Sequence, residues 1–161
     1  MARRAFFSFH YERDIWRACQ VRNQWVTKPD REAAGFWDAS LWETARRRGD
    51  AAIKAMIDAW LRNTSVTCVL IGAETATRKW VKYEIEQSLE RGNGLLGVYI
   101  NGLRDRTGLT DPRGANPLDD MYTRNAAGLT VSLSVLFSTY DYTLNDGYGN
   151  LGRWIEEAAR K

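Results

Sequence analysis

A tryptophan and a glutamate stand one helical turn apart, Trp80 and Glu84, in the stretch RKWVKYEIEQSLERG at 78–92. The stretch reads as a helix over 78–91 that stops at GNG. At about 100° per residue, Val81, Ile85, Ser88 and Leu89 form the stripe that packs on a sheet. Glu84 falls on the flank of that stripe, on the side of Trp80, whereas Glu86 and Glu90 turn toward water. A half-buried carboxyl beside an indole holds its proton more tightly unless a polar ligand compensates, and it is well placed to bond a sugar diol. The alternative is a structural glutamate paired with Arg78 or a more distant arginine. Spacing alone favours the structural reading and leaves the other open.

Other reactive groups are few. His10 is the only histidine, which excludes a histidine-based triad and a multi-histidine metal site, and no metal is expected. It follows the aromatic run RAFFSF at 4–9, a strand by composition, so it stands where a strand meets a ligand edge. Gly92, Gly94 and Gly97 match G-x-G-x-x-G, but they leave a helix and enter a strand, the reverse of a dinucleotide fingerprint. There is no P-loop, HExxH or GxSxG. Cys19 and Cys68 have no metal-spaced partner and suggest no disulfide framework. Arg46, Arg47 and Arg48 form the one dense basic cluster, read as a solvated loop or helix end.

These groups need a frame to hold them. A helix is expected from about Ile15 to Trp25, and a short second strand near Gln24–Thr27. Asp50 suits a cap for a helix burying Ile53, Met56, Ile57, Trp60 and Leu61. VTCVLIG at 66–72 and LLGVYI at 95–100 are continuous apolar runs, as in strands covered on both faces. TVSLSVLFS at 130–138 alternates like an outer strand, and a last helix from about Asn150 buries Leu151, Trp154, Ile155 and Ala158. The polar 101–128 segment is long for a loop and is a candidate lid or contact surface. Strands alternating with helices predict an α/β, doubly wound, mostly parallel sheet with helices on both faces. Ligands in such sheets sit beyond the carboxyl ends of the strands, near a topological switch point.

The chain has 161 residues, 44% hydrophobic and 27% charged, with a formal charge of +3, which suits one globular domain over 1–161. Seven tryptophans are many for this length, so some are expected to line a pocket. Dispersed basic residues argue against nucleic-acid binding. No stretch approaches the ~18 apolar residues of a membrane span, and the N-terminal apolar run is too short for a secretory signal. A cytoplasmic protein is the expectation.

RAFFSFHYERD resembles the first-strand box of Toll/interleukin-1 receptor (TIR) domains, and Trp80-Val-Lys-Tyr-Glu84 matches the W-x-x-x-E spacing of enzymatic TIR domains. More narrowly, FSFHYERDIWRACQVRN, the FWD at 36–38 and RKWVKYEIEQSLERGNGLLGVYI resemble the bacterial TIR-like group that includes the Thoeris anti-phage TIR subunit. The resemblance spans nearly the whole chain, although 101–150 carries little of it, and no ordinary second strand with a proline-bearing loop after it is visible. It implies a flavodoxin-like, TIR-like fold. It implies an NAD glycohydrolase or ADP-ribosyl cyclase with NAD as substrate, no cofactor, and a cyclic ADP-ribose-type second messenger in anti-phage defence. The bond to nicotinamide breaks with loss of a neutral pyridine, so no general acid is required, and one carboxylate can hold the ribose and stabilise its developing charge. Glu84 takes that role. Phe9, His10 and Tyr11 wall the nucleotide, with Trp37, Asp38 and Trp80 as candidates for stacking and for bonding a hydroxyl. Self-association on activation and a separate effector that reads the product belong to the same expectation. The alternative is a non-catalytic TIR module that signals by self-association alone. A receiver-like phospho-acceptor is disfavoured because Glu12 and Asp14 lie past the first strand's end.

Overall fold

The computed structural model describes residues 3–161. In chain order the strands are β1 (Arg3–Ser8), β2 (Arg31–Ala34), β3 (Val66–Ile71), β4 (Gly94–Tyr99), β5 (Tyr122–Arg124), β6 (Thr130–Ser132) and β7 (Thr139–Asp141). The helices are α1 (Tyr11–Trp25), α2 (Ala39–Arg48), α3 (Asp50–Leu61), α4 (Lys79–Glu90), α5 (Leu133–Leu136) and α6 (Gly147–Ala159). Five strands form one parallel sheet in the order β2-β1-β3-β4-β7, and β5 pairs with β6 apart from it. This is the expected flavodoxin-like α/β architecture.

Strand alternation decides which helices cover which face. Ala5 and Phe7 join Trp25, Cys68, Leu70, Leu151 and Trp154 in a core under α1 and α6. Phe6 faces the other way, into a core with Ile53, Ile57 and Leu61 of α3, while Val69 and Ile71 meet Val81 and Ile85 of α4. Ser8 shares the face of Phe6 by the same alternation. All six residues of β3 are buried, as its β-branched run requires. The chain leaves β1 toward β2 on one side and reaches β3 on the other, so the switch point lies between β1 and β3. Among the described residues no helix is long and apolar enough to cross a membrane. Cys19 and Cys68 are both free thiols.

Four local expectations need correction. The second strand is Arg31–Ala34, not Gln24–Thr27, because α1 continues through Trp25, whose buried indole donates to Glu32 O at 3.0 Å. α1 itself begins at Tyr11, before Ile15, which brings the first turn to the end of β1. Asp50 opens α3 rather than capping it; Gly49 is the cap residue, at φ 100°. Of TVSLSVLFS only Thr130–Ser132 is strand, as β6 paired with β5 outside the main sheet. Ser132 accepts from Ser134 N at 3.2 Å, caps α5 and diverts the chain, and the sheet edge is Thr139–Asp141 instead.

The 101–111 part of the long segment is anchored to α1 by Arg13, which donates to Asp111, by Gln20, which donates to Arg104 O, and above all by Arg17. Arg17, 1% exposed, donates to Leu103 O at 2.8 Å, Leu109 O at 2.9 Å, Asp111 Oδ2 at 3.1 Å and Asp14 Oδ1 at 3.3 Å. Asp105 stands 3.6 Å away. Removing a buried partner leaves uncompensated charge, so Arg17→Met is expected to cost about 3–5 kcal/mol. The check is the urea midpoint at unchanged m-value; a loss below about 1 kcal/mol would contradict the clamp.

Candidate active site

A cavity of about 270 Å³ opens at the carboxyl end of β1, on the α3–α4 side of the switch point. Three pieces of chain build it. Phe9, His10, Tyr11 and Glu12 come from the β1–α1 junction; Phe36, Trp42, Arg46 and Ile53 come from the segment after β2; Arg78, Lys79, Trp80, Val81 and Glu84 come from the start of α4. Aromatic edges hold the wall together, with Tyr11 and Trp42 centroids 5.2 Å apart and Phe36 edge-on to Trp42 at 4.7 Å.

Glu84 is deeper than its spacing suggested, at 3% exposure. One turn on, Ser88 Oγ donates to Glu84 O at 2.7 Å and bonds Thr67 Oγ1 of β3 at 2.6 Å, which fixes the roll of α4 on the sheet. Burial pushes the Glu84 carboxyl up to about 8, opposed only by the neighbouring Ser8 hydroxyl. Among the described residues no arginine pairs with it, and Arg78 instead donates to Thr77 Oγ1, so the structural alternative of an Arg78 partner is not what the chain builds. Glu84 Oε2, Ser8 Oγ, both ring nitrogens of His10 and Trp42 Nε1 are buried without a hydrogen-bond partner. Native proteins rarely leave such groups unsatisfied, and here Glu84, His10 and Trp42 line one cavity. His10 is held below its ordinary value, first by burial and then by the nearby Arg78 charge, so its ring is neutral at pH 7.

Five of the seven candidate residues meet here: Phe9, His10, Tyr11, Trp80 and Glu84. Two do not. Trp37 stacks on Phe9 with centroids 5.1 Å apart, under the Arg22 guanidinium, and stays out of the cavity wall. Asp38 accepts from Ser40 N at 2.8 Å and Oγ at 2.7 Å, committed to capping α2. Sequence reasoning missed Phe36, Trp42, Arg46 and Ile53. The helical spacing of Trp42 and Ala45, the two buried residues of α2, was the signal that could have placed Trp42 inward. Arg46, read as solvated, reaches the cavity mouth and pairs with Glu12 at 3.1 Å. Among the described residues no three His, Cys, Asp or Glu side chains are placed to hold a metal.

The arrangement is polarised. A carboxyl without a counter-ion sits inside, and Arg46, Arg78 and Lys79 stand along the lining. A ligand positive at its buried end and negative at its outer end fits that charge pattern.

The raised Glu84 value has a sign that stability measurements read. The folded chain keeps a proton that the unfolded chain releases above about pH 4.5, so this residue costs stability as pH rises from there to about 8. Glu84→Gln removes the slope. The variant's unfolding free energy relative to wild type, read from urea midpoints, is expected to rise across that window by up to about 1.4 kcal/mol per pH unit and level off above it. A pH-independent difference would contradict the buried, unpaired carboxyl.

Comparison with known proteins now bears on the site. The model of the family described as "Thoeris protein ThsB, TIR-like domain" matches residues 6–105, which include Phe9, His10, Tyr11, Trp80 and Glu84. A protein of Bacillus cereus (strain MSX-D12) named "Putative cyclic ADP-D-ribose synthase ThsB1" is 38% identical over 191 aligned residues, covering 96% of this chain and 100% of that protein. With a matched family model over most of its length and a relative at that identity along nearly all of it, the chain belongs to the Thoeris ThsB TIR-like family.

Proposed function

We propose that this protein consumes NAD by breaking the nicotinamide–ribose bond, with Glu84 as the catalytic carboxylate, and forms a cyclic ADP-ribose-type product as a second messenger in anti-phage defence. The observation that carries the reading is the cluster of orphaned buried polar groups around Glu84 in an aromatic cavity. The relative's name, a cyclic ADP-D-ribose synthase, supports the same chemistry. The reading takes residues 1–161 as one TIR-like domain of the cytoplasm that self-associates on activation, with a separate effector reading the product.

The charge pattern suits NAD. Its pyridinium ring is cationic, and bringing that charge beside Glu84 offsets the desolvation that keeps the carboxyl protonated. Substrate binding therefore releases the Glu84 proton to solvent and leaves the group that acts on it ionised. When the C1′–N bond breaks, its electron pair goes to nicotinamide, which leaves neutral, and the positive charge moves onto the ribose. The Glu84 carboxylate stabilises that oxocarbenium-like centre and the ribose hydroxyls. His10, neutral and unpartnered, and Trp42 Nε1 offer further bonds to the sugar or the carboxamide. Phe9, Tyr11 and Trp80 keep water from the centre, which favours attack by a nucleophile of the adenosine half over hydrolysis. Trp37 supports Phe9 from behind, and Asp38 holds α2, so neither is assigned to the substrate.

Glu84→Gln keeps the shape and removes the charge. Nicotinamide release from NAD is expected to fall at least ~100-fold, on the scale of losing one transition-state stabiliser, with the fold retained by circular dichroism. Turnover at the wild-type level in that variant would remove Glu84 from the mechanism. No nicotinamide release from the wild-type protein at any concentration would favour the non-catalytic self-association module.

The pH dependence separates the two states of the enzyme. kcat/KM reports the empty site and is expected to rise with pH to about 8. kcat reports the occupied site and is expected to level off at lower pH, because the bound cation favours the carboxylate. Coincident profiles would argue against substrate-assisted ionisation.

A further inference from the structure

The first turn of α4 lacks the cap that helices ordinarily carry. Its N-cap residue is Arg78, with extended backbone at φ −86° and ψ 121° and no side-chain cap bond. Ser, Thr, Asp or Asn normally stands there and accepts from the first-turn N–H groups. A guanidinium has only donors, so it cannot do this. The Arg78 N–H is taken by Thr75 O at 3.1 Å, and the Lys82 N–H by Arg78 O at 3.2 Å. Between them, the N–H groups of Lys79, Trp80 and Val81 have no partner among the described residues.

A cation at the positive end of a helix dipole is unfavourable unless an anion arrives. Arg78, Lys79, Trp80 and Val81 all line the cavity. Lys79 and Arg46 are paired with Asp50 and Glu12, but among the described residues the Arg78 side chain makes only a neutral contact, Nε to Thr77 Oγ1 at 3.3 Å. A second feature points to a ligand at the same place. His10 lines the cavity at 8% exposure, its nearest carboxylate oxygen, Glu74 Oε2, is 3.9 Å from Nδ1, and neither ring nitrogen has a hydrogen-bond partner.

We propose that the first turn of α4, with Arg78, seats the 5′-diphosphate of a dinucleotide substrate, which supplies the cap that the sequence omits. The inference rests on the NAD reading and adds which part of the substrate the helix end holds. Spacing supports it. Glu84 lies five residues beyond Lys79 on α4, about 7.5 Å along the axis. That is of the order of the distance from the anomeric carbon of a ribose to the phosphate on its own 5′ oxygen. One helix thus meets the diphosphate at its N-terminus and the reacting carbon at its second turn, and it discriminates against nicotinamide riboside, which has no phosphate.

The test sets binding against stability. Arg78→Asp places an acceptor at the cap, so its melting temperature is expected to rise while its affinity for ADP-ribose falls about 10- to 100-fold, the worth of charge-assisted bonds to phosphate. Calorimetry with ADP-ribose, nicotinamide riboside and inorganic phosphate reads the selectivity. The loss for ADP-ribose should exceed that for nicotinamide riboside by at least ~10-fold. Inorganic phosphate should compete with ADP-ribose in the wild type and not in the variant. Arg78→Gln, which loses the charge without adding an acceptor, should weaken ADP-ribose binding with little thermal shift. Equal losses for ADP-ribose and the riboside, unchanged ADP-ribose affinity, or no ADP-ribose binding by the wild type would overturn the seat. ADP-ribose binding that depends on Arg78 in a protein releasing no nicotinamide from NAD would sink the catalytic reading alone. NAD cleavage with unaltered KM in Arg78→Asp would sink the diphosphate seat alone.

Discussion

A carboxyl group removed from water without a counter-charge keeps its proton, and Glu84 is held in that condition by the packing of α4 on the sheet. Such a group is costly in an empty protein. The surroundings are arranged so that an incoming cation, rather than a resident arginine, relieves the cost. Had Arg78 turned inward to pair with Glu84, the residue would be a structural ion pair and the cavity would have no reason to bind a charged ring. Instead Arg78 remains at the helix end, where its charge favours an anion. The two ends of one short helix segment thus ask for opposite charges.

The scaffold serves this separation. The chain leaves β1 for α1 on one face of the sheet and leaves β3 for α4 on the other, which leaves a gap at the carboxyl ends of these two strands. Into it come the first turn of α1 and the first two turns of α4, and α2 and α3 close the outer side with Phe36, Trp42 and Ile53. Ser88 locks α4 to Thr67 of β3. On the opposite side of α1, Arg17 fastens the 101–111 part of the long segment, so α1 is braced from behind while His10 and Tyr11 face the cavity. That 101–111 part is a brace on the helix carrying part of the wall.

The parts legible in the sequence were those under strong local constraint. β3 and β4 are continuous apolar runs with one reading, and the stripe of Val81, Ile85 and Ser88 placed α4 and the side of Glu84. What stayed hidden was set by long-range contact. REAA is too short and too poor in β-branched residues to announce β2; only pairing with Arg3–Phe6 makes it a strand. The alternation in TVSLSVLFS gave way to a serine cap, a local hydrogen bond that a period count does not weigh. In the site, Trp42 and Arg46 were unplaced because they belong to a helix whose existence depends on packing against α3. The unusual identity of Arg78 as a cap emerges only once the exact start of α4 is known.

The central claim concerns one proton. Carbon NMR titration of the labelled glutamate carboxyls, with Glu84→Gln assigning the resonance, measures it directly in the empty protein and again with an uncleavable NAD analogue that keeps the cationic ring. The account predicts a value near 8 in the empty site, displaced downward when the analogue binds. A Glu84 carboxyl that titrates near its ordinary 4.5 in the empty protein, or that does not move on binding, would contradict it.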